Sequence, residues 1–209
     1  RVGRGFSLRK ALVVFQFVIS IFLIVGTFTV NRQLDFIQNK KVGFNRDQIV
    51  MVSDVYALGD KAQSFKDEVM RNAMIVNGTI SGFIPTAGGW RSDNTYWPAG
   101  AQPTDENMVG MQSWTVDDDY VNTMGMKIVM GRSFSKDFPS DSSAVVLNQT
   151  AVTHFKLGDD PVGKRISTFG DNNSSSGFSQ DGVRSWVVIG VVEDFHFESL
   201  HEQIRPMIF

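Results

Sequence analysis

The chain has 209 residues, a net charge of −2, no cysteine, and 42% hydrophobic against 20% charged residues. That length supports a real core in one medium or two small domains. The near-neutral balance excludes the basic surplus of a nucleic-acid binder, and the lack of cysteine excludes thiolate metal sites, thiol catalysis and disulfides. The chain begins with Arg1 rather than Met, so an excerpt from a longer protein is expected.

Residues 1–10 are a basic flank holding Arg1, Arg4, Arg9 and Lys10 with no acid among them. Residues 11–30 then run without a charged side chain, and fourteen of the twenty are Leu, Ile, Val or Phe. Twenty helical residues span about 30 Å, the thickness of a bilayer's hydrocarbon core. A signal peptide has a shorter apolar region and a small-residue cleavage site, neither of which fits here. A membrane helix is therefore predicted. The basic flank predicts an N-terminus in the cytoplasm and the bulk of the chain outside it. At 100° per residue Gln16, Ser20 and Thr27 fall within about 40° of one another, a polar stripe suited to packing on neighbouring membrane helices.

Residues 31–46 continue the helical pattern. Val30, Leu34 and Ile37 repeat at i, i+4, i+7 among Arg32, Gln33, Asp35 and Gln38, and Gly43 is the expected stop after Lys40 and Lys41. This predicts a stalk of two to three turns projecting from the membrane.

Residues 47–209 have the texture of a mixed α/β domain. Strands are expected at 48–53, 77–84, 108–116, 127–130, 144–147 and 186–192, the last central because it is almost wholly apolar. Helices are expected at 62–74, capped by Asp60, at 118–124, capped by Asp117 or Asp118, and at 148–155. Residues 86–107 read as a long loop, and its Trp90, Tyr96 and Trp97 as exposed aromatics for a partner. Residues 171–181 read as a Ser/Asn-rich hairpin tip.

Motifs that might carry chemistry fail on inspection. Gly158 to Arg165, G-D-D-P-V-G-K-R, matches a phosphate loop except at its last position. Arg165 stands where a metal-binding Ser or Thr is needed, and Asp159 and Asp160 would repel phosphate. A Pro-Gly turn is the better reading. His196 and His201 lack metal-ligand spacing. Met124, Met126 and Met130 read as core filler rather than copper ligands. The sequence offers no catalytic, cofactor-binding or metal site.

Residues 9–43 (R-K-A-L-V-V-F-Q-F-V-I-S-I-F-L-I-V-G, then R-Q-L-D-F-I-Q-N-K-K-V-G-F) resemble the start of the second half of MacB/FtsX-like ABC transporter permeases of Bacteroidetes type. The resemblance continues through Gly131-Arg132-Ser133-Phe134-Ser135, Phe138-Pro139-Ser140-Asp141, Val146-Leu147-Asn148, Pro161-Val162-Gly163-Lys164 and Val188 to His196. It implies a non-catalytic permease subunit whose periplasmic core has two α/β subdomains. A cytoplasmic ABC ATPase would be a partner, with a permease dimer and a periplasmic adaptor as further partners. Efflux or mechanotransmission is the expected function. An extracytoplasmic sensor domain of a membrane receptor is the alternative, since it too needs an anchor and an α/β domain.

Overall fold

The computed structural model describes residues 8–39, 43–44, 48–83, 92–170, 182–197 and 202–209. It divides into two compact units, Arg1–Lys41 and Val42–Phe209.

The first unit is one helix, α1, from Leu8 to Asn39. No proline interrupts it, and its apolar side chains are exposed all round, with Phe17, Phe22 and Ile24 each above 60%. A helix apolar on every side has no soluble core to face and suits lipid. Two of its hydroxyls are satisfied internally: Ser20 donates to the Gln16 carbonyl and Thr29 to that of Val25, both at 2.9 Å. Such back-bonding removes a donor that hydrocarbon could not satisfy. Thirty-two residues extend about 48 Å, well beyond a hydrocarbon core of about 30 Å.

The second unit is built on one seven-stranded sheet. Its strands are β1 (Asp93–Pro98), β2 (Val109–Ser113), β3 (Ile128–Gly131), β4 (Ala144–Asn148), β5 (Arg165–Phe169), β6 (Val183–Val192) and β7 (Met207–Ile208). Three helices accompany them: α2 (Ala62–Met70), α3 (Tyr120–Thr123) and α4 (Gln149–His154). Followed by pairing, β6–β4–β7–β2–β1–β5 returns to β6, so six strands form a closed ring. Strand β6 makes this possible through its ten residues. One edge pairs in parallel with β4, and the other pairs with β5 over 183–187 and with β3 over 190–192.

Each ring strand sends a residue into one hydrophobic cluster: Tyr96, Met111, Leu147, Ile166, Val188 and Ile208, joined by Ala151 and Phe155 of the α4 region. A second cluster includes Val146, Met207 and Val192 from β4, β7 and β6. Its centre is Trp114, whose ring lies 5.3–6.4 Å from those of Tyr120, Phe195, Phe197 and Phe209, mostly edge to face.

The mixed α/β class, the strands at β2, β3, β4 and β6, and the Asn148-capped helix agree with expectation. The Asn148 side chain accepts from the Ala151 amide at 2.9 Å. Several expectations need correction. Residues 48–53 are not a strand: they are exposed and have no ladder partner among the described residues, and Gln48 takes a positive φ of 61°. Residues 77–83 make a single bridge, Ser81 to Val116. Asp60 does not cap α2, because a 3-10 turn over Val55–Lys61 leads directly into it. The loop expected at 86–107 contains β1, and β5 and β7 were missed.

Glycines mark the tightest approach in the sheet. A Cβ on Gly190 would sit 2.1 Å from the Arg132 carbonyl oxygen, a backbone atom that cannot swing away. Gly190→Ala should therefore destabilise the domain by about 2–3 kcal/mol or more through overpacking. Gly110→Ala, which meets nothing within 4 Å, should cost far less; urea melts of the two variants check this.

Candidate functional site

Two polar ties fasten the loops of the domain. Arg132, just past β3, grips Asp141 with both guanidinium nitrogens, Nη1 to Oδ2 at 2.6 Å and Nη2 to Oδ1 at 2.7 Å. Asp141 also accepts the Ser135 amide at 3.1 Å, and the Phe138 ring lies 4.2 Å from the guanidinium carbon. This bidentate, charge-assisted arrangement holds the Asp141 carboxyl below the ordinary carboxylate value and raises Arg132.

In the second tie, Lys66 of α2 is buried and reaches Asp117 at 2.6 Å and Asp119 at 2.7 Å. Burial alone would pull the Lys66 pKa down, but its hydrogen bonds to the two carboxylates outweigh that and raise it. The Lys66 hydrogen bond lowers Asp119 in turn. Asp117 further accepts the Ile80 amide at 2.8 Å and the Thr79 hydroxyl. The acidic run of the sequence thus binds a lysine 51 positions away and the incoming backbone. That is more than the turn and cap duty its spacing suggested.

The motif residues are joints of the same kind. Asn148 donates to the Arg205 carbonyl and accepts the Met207 amide, fixing β7 beside β4. Asp194 accepts both the amide and hydroxyl of Thr150. In the glycine-rich segment, the Gly163 amide donates to Val188 and the Lys164 ammonium to the Leu157 carbonyl, so Lys164 is spent on backbone. His196 flanks the core residues Phe195 and Phe197 without strand pairing, while His201 lies outside the described residues. Met124 and Met126 are buried in the aromatic cluster, whereas Met130 is 39% exposed.

The aromatics expected to meet a partner are placed otherwise. Tyr96 and Trp97 lie in β1, 6% and 2% exposed, and Tyr96 hydrogen-bonds Ser113 at 2.5 Å. Strand pairing with β2 and β5 draws them into the domain, so an exposed contact loop does not describe them. Trp90 lies outside the described residues. On α1, Gln16, Ser20 and Thr27 are exposed, as are Val30, Leu34 and Ile37 at 49–53%. These positions of the stripe and the stalk are thus exposed on the helix.

A groove of about 900 Å³ opens where β1, β5 and β6 meet the turns at 100–103 and 142–143. Trp97 and Phe169 form one wall, ring centroids 4.5 Å apart. Ser167 and Ser185 bond each other across β5 and β6 at 2.9 Å, and Arg184 lies over the Trp186 ring at 5.4 Å. The alternation R-I-S-T-F at 165–169 is the signal that would have revealed β5 and this wall.

A family model for the MacB-like periplasmic core domain matches residues 11–208, and the chain belongs to that family. The match begins within α1, so the apolar helix is part of what the family shares. Among solved structures, the chain is similar to the periplasmic region of MacB from Actinobacillus actinomycetemcomitans, at 19% identity and a TM-score of 0.43, covering 68% of this chain and 60% of that one. It is also similar to the extracellular domain of the noncanonic ABC-type transporter YknZ from Gram-positive bacteria, at 11% identity and a TM-score of 0.42, covering 70% and 59%. The chain spans about three-fifths of each structure's length. No curated protein sequence matches it.

The Arg132–Asp141 tie gives a pH signature. A depressed carboxylate contributes stability that is complete above its unfolded value near pH 4 and is lost as pH falls through the lower folded value. Asp141→Asn should cost about 1–3 kcal/mol at pH 7, less than a fully buried pair because Arg132 is 39% exposed. The deficit should shrink below pH 4 in denaturant melts run across pH.

Proposed function

We propose that the chain is the membrane-proximal part of an ABC transporter permease subunit that carries motion from cytoplasmic ATP hydrolysis to the periplasmic domain. The family assignment supports the transporter setting. The observation that carries the coupling reading is the unbroken helix α1, about 18 Å longer than a hydrocarbon core. A passive anchor needs only the bilayer's thickness. A helix that continues past it at Val30, Leu34 and Ile37 can act as a rigid lever.

In this reading the N-terminus is cytoplasmic and the domain periplasmic, in the inner membrane. Gln16, Ser20 and Thr27 pack on further membrane helices of the permease or its dimer mate. Val30, Leu34 and Ile37 pack on a neighbouring stalk. The ATPase is a separate domain or chain, the subunit itself performs no catalysis, and a periplasmic adaptor is a further partner. Efflux and mechanical signalling are both served by such coupling. The tight ties of Arg132 and Lys66 favour a domain that moves as a body.

Two measurements test this. Proline at Gln33 removes a backbone donor and clashes with the preceding turn, costing about 3 kcal/mol in a helix interior. Gln33→Pro in the complete permease should leave membrane insertion and ATP hydrolysis near normal and abolish transport; normal transport defeats the coupling reading. The chain has no cysteine, so Ser64→Cys, at an exposed position of α2, provides a single label. It should react with a membrane-impermeant maleimide in cells whose outer membrane is permeabilised. Labelling only after inner-membrane lysis reverses the orientation.

A further inference from the structure

The groove bordered by β1, β5 and β6 has a composition unlike the rest of the chain. Among the described residues its lining includes Arg165 and Arg184 and no Asp or Glu, in a protein of net charge −2. Arg184 is engaged with the Trp186 ring. The Arg165 side chain is exposed, with no hydrogen bond or ion pair among the described residues. Every other arginine described in the domain is held: Arg71 by Glu68, Arg132 by Asp141, Arg205 by Asp93.

Strand register explains how the groove is assembled. Trp97 stands opposite Ser167 across β1 and β5, and Ser167 opposite Ser185 across β5 and β6, so these three share one face. Arg165 and Phe169 lie two residues to either side of Ser167 on the same strand and therefore on the same face. A cation, a hydroxyl pair and an aromatic wall thus follow one another along β5. Phe169 remains 58% exposed although its ring rests against Trp97, leaving a flat apolar surface open. The volume, about 900 Å³, lies in the range of small-molecule sites.

We infer that this groove binds an anionic small molecule with a flat, aromatic or fused-ring body. Its acid group pairs with the Arg165 guanidinium, whose planar fork suits carboxylate, sulfonate or phosphate oxygens. The hydroxyls of Ser167 and Ser185 supply further hydrogen bonds, and the ring system lies against Phe169. The site stands apart from the coupling role of α1, and its test does not depend on transport.

The probe is 1-naphthalenesulfonate, with neutral 1-naphthalenesulfonamide as its control. Both are titrated calorimetrically into the full chain in phosphatidylcholine nanodiscs, with empty nanodiscs subtracted. Saturable one-to-one binding of the sulfonate is expected, at least tenfold tighter than the sulfonamide. Arg165→Gln should abolish that preference, and Phe169→Ala should weaken both ligands several-fold, with circular dichroism and melting unchanged. Arg71→Gln, at an exposed arginine outside the groove, should bind like the parent. The proposal is overturned by absence of saturable sulfonate binding, by equal affinity for the two ligands, or by a folded Arg165→Gln variant that keeps its preference.

Discussion

Strand β6 is the constraint from which the second unit, Val42–Phe209, follows. An ordinary strand has two neighbours, but β6 has three, because its ten residues are long enough to divide one edge between β5 and β3. This sharing closes the six-stranded ring and leaves no long bare edge in it, which removes the template for edge-to-edge association. It also demands a close crossing where β3 ends. The Arg132 amide reaches the Ile189 carbonyl at 3.0 Å, and only glycines at 131 and 190 leave room for the two backbones. Once that crossing is fixed, Arg132 is positioned to grip Asp141, and the turn before β4 is set.

The sequence pieces that carried the family resemblance meet at these joints. Gly131-Arg132 and Gly190 come from pieces nearly sixty residues apart and touch in the structure. The Pro-Ser-Asp piece supplies the carboxylate for Arg132, the Leu-Asn piece caps α4 and seats β7, and Asp194 caps the same helix from the other side. None of these residues lines the groove. A scaffold held by one set of positions and a binding surface lined by another can change ligand without losing its fold.

What was legible in the sequence followed the strength of the local signal. The apolar helix announced itself through twenty uncharged residues, and β4 and β6 through apolar runs rich in Val and Ile. Strand β1 was hidden because Asp93-Asn94 and Pro98 carry turn chemistry, while its Tyr96 and Trp97 are buried by long-range pairing that no local window contains. Strand β7 has two residues, too short for any period. Residues 48–53 show the opposite failure. Ile49 to Val52 have strong strand propensity, yet among the described residues no partner supplies the ladder, and a strand without one is only an extended segment. The role of Asp117 and Asp119 was equally out of reach, because Lys66 lies on a different element.

These ties also bear on how such a domain could transmit force. Hydrophobic clusters alone permit sliding, since dispersion contacts have little directional preference. A bidentate arginine and a lysine between two carboxylates are directional, and each fixes a loop to an element distant in sequence. Breaking either leaves a charge partly desolvated, so local opening at these points is costly. A load applied to one element would then be shared through the sheet rather than dissipated in a loop. The groove lies on the strands that close the ring, β1, β5 and β6. A ligand bridging Arg165 and Phe169 would therefore stiffen the seam on which closure of the sheet depends, giving its occupancy a direct physical route to the mechanics of the whole domain.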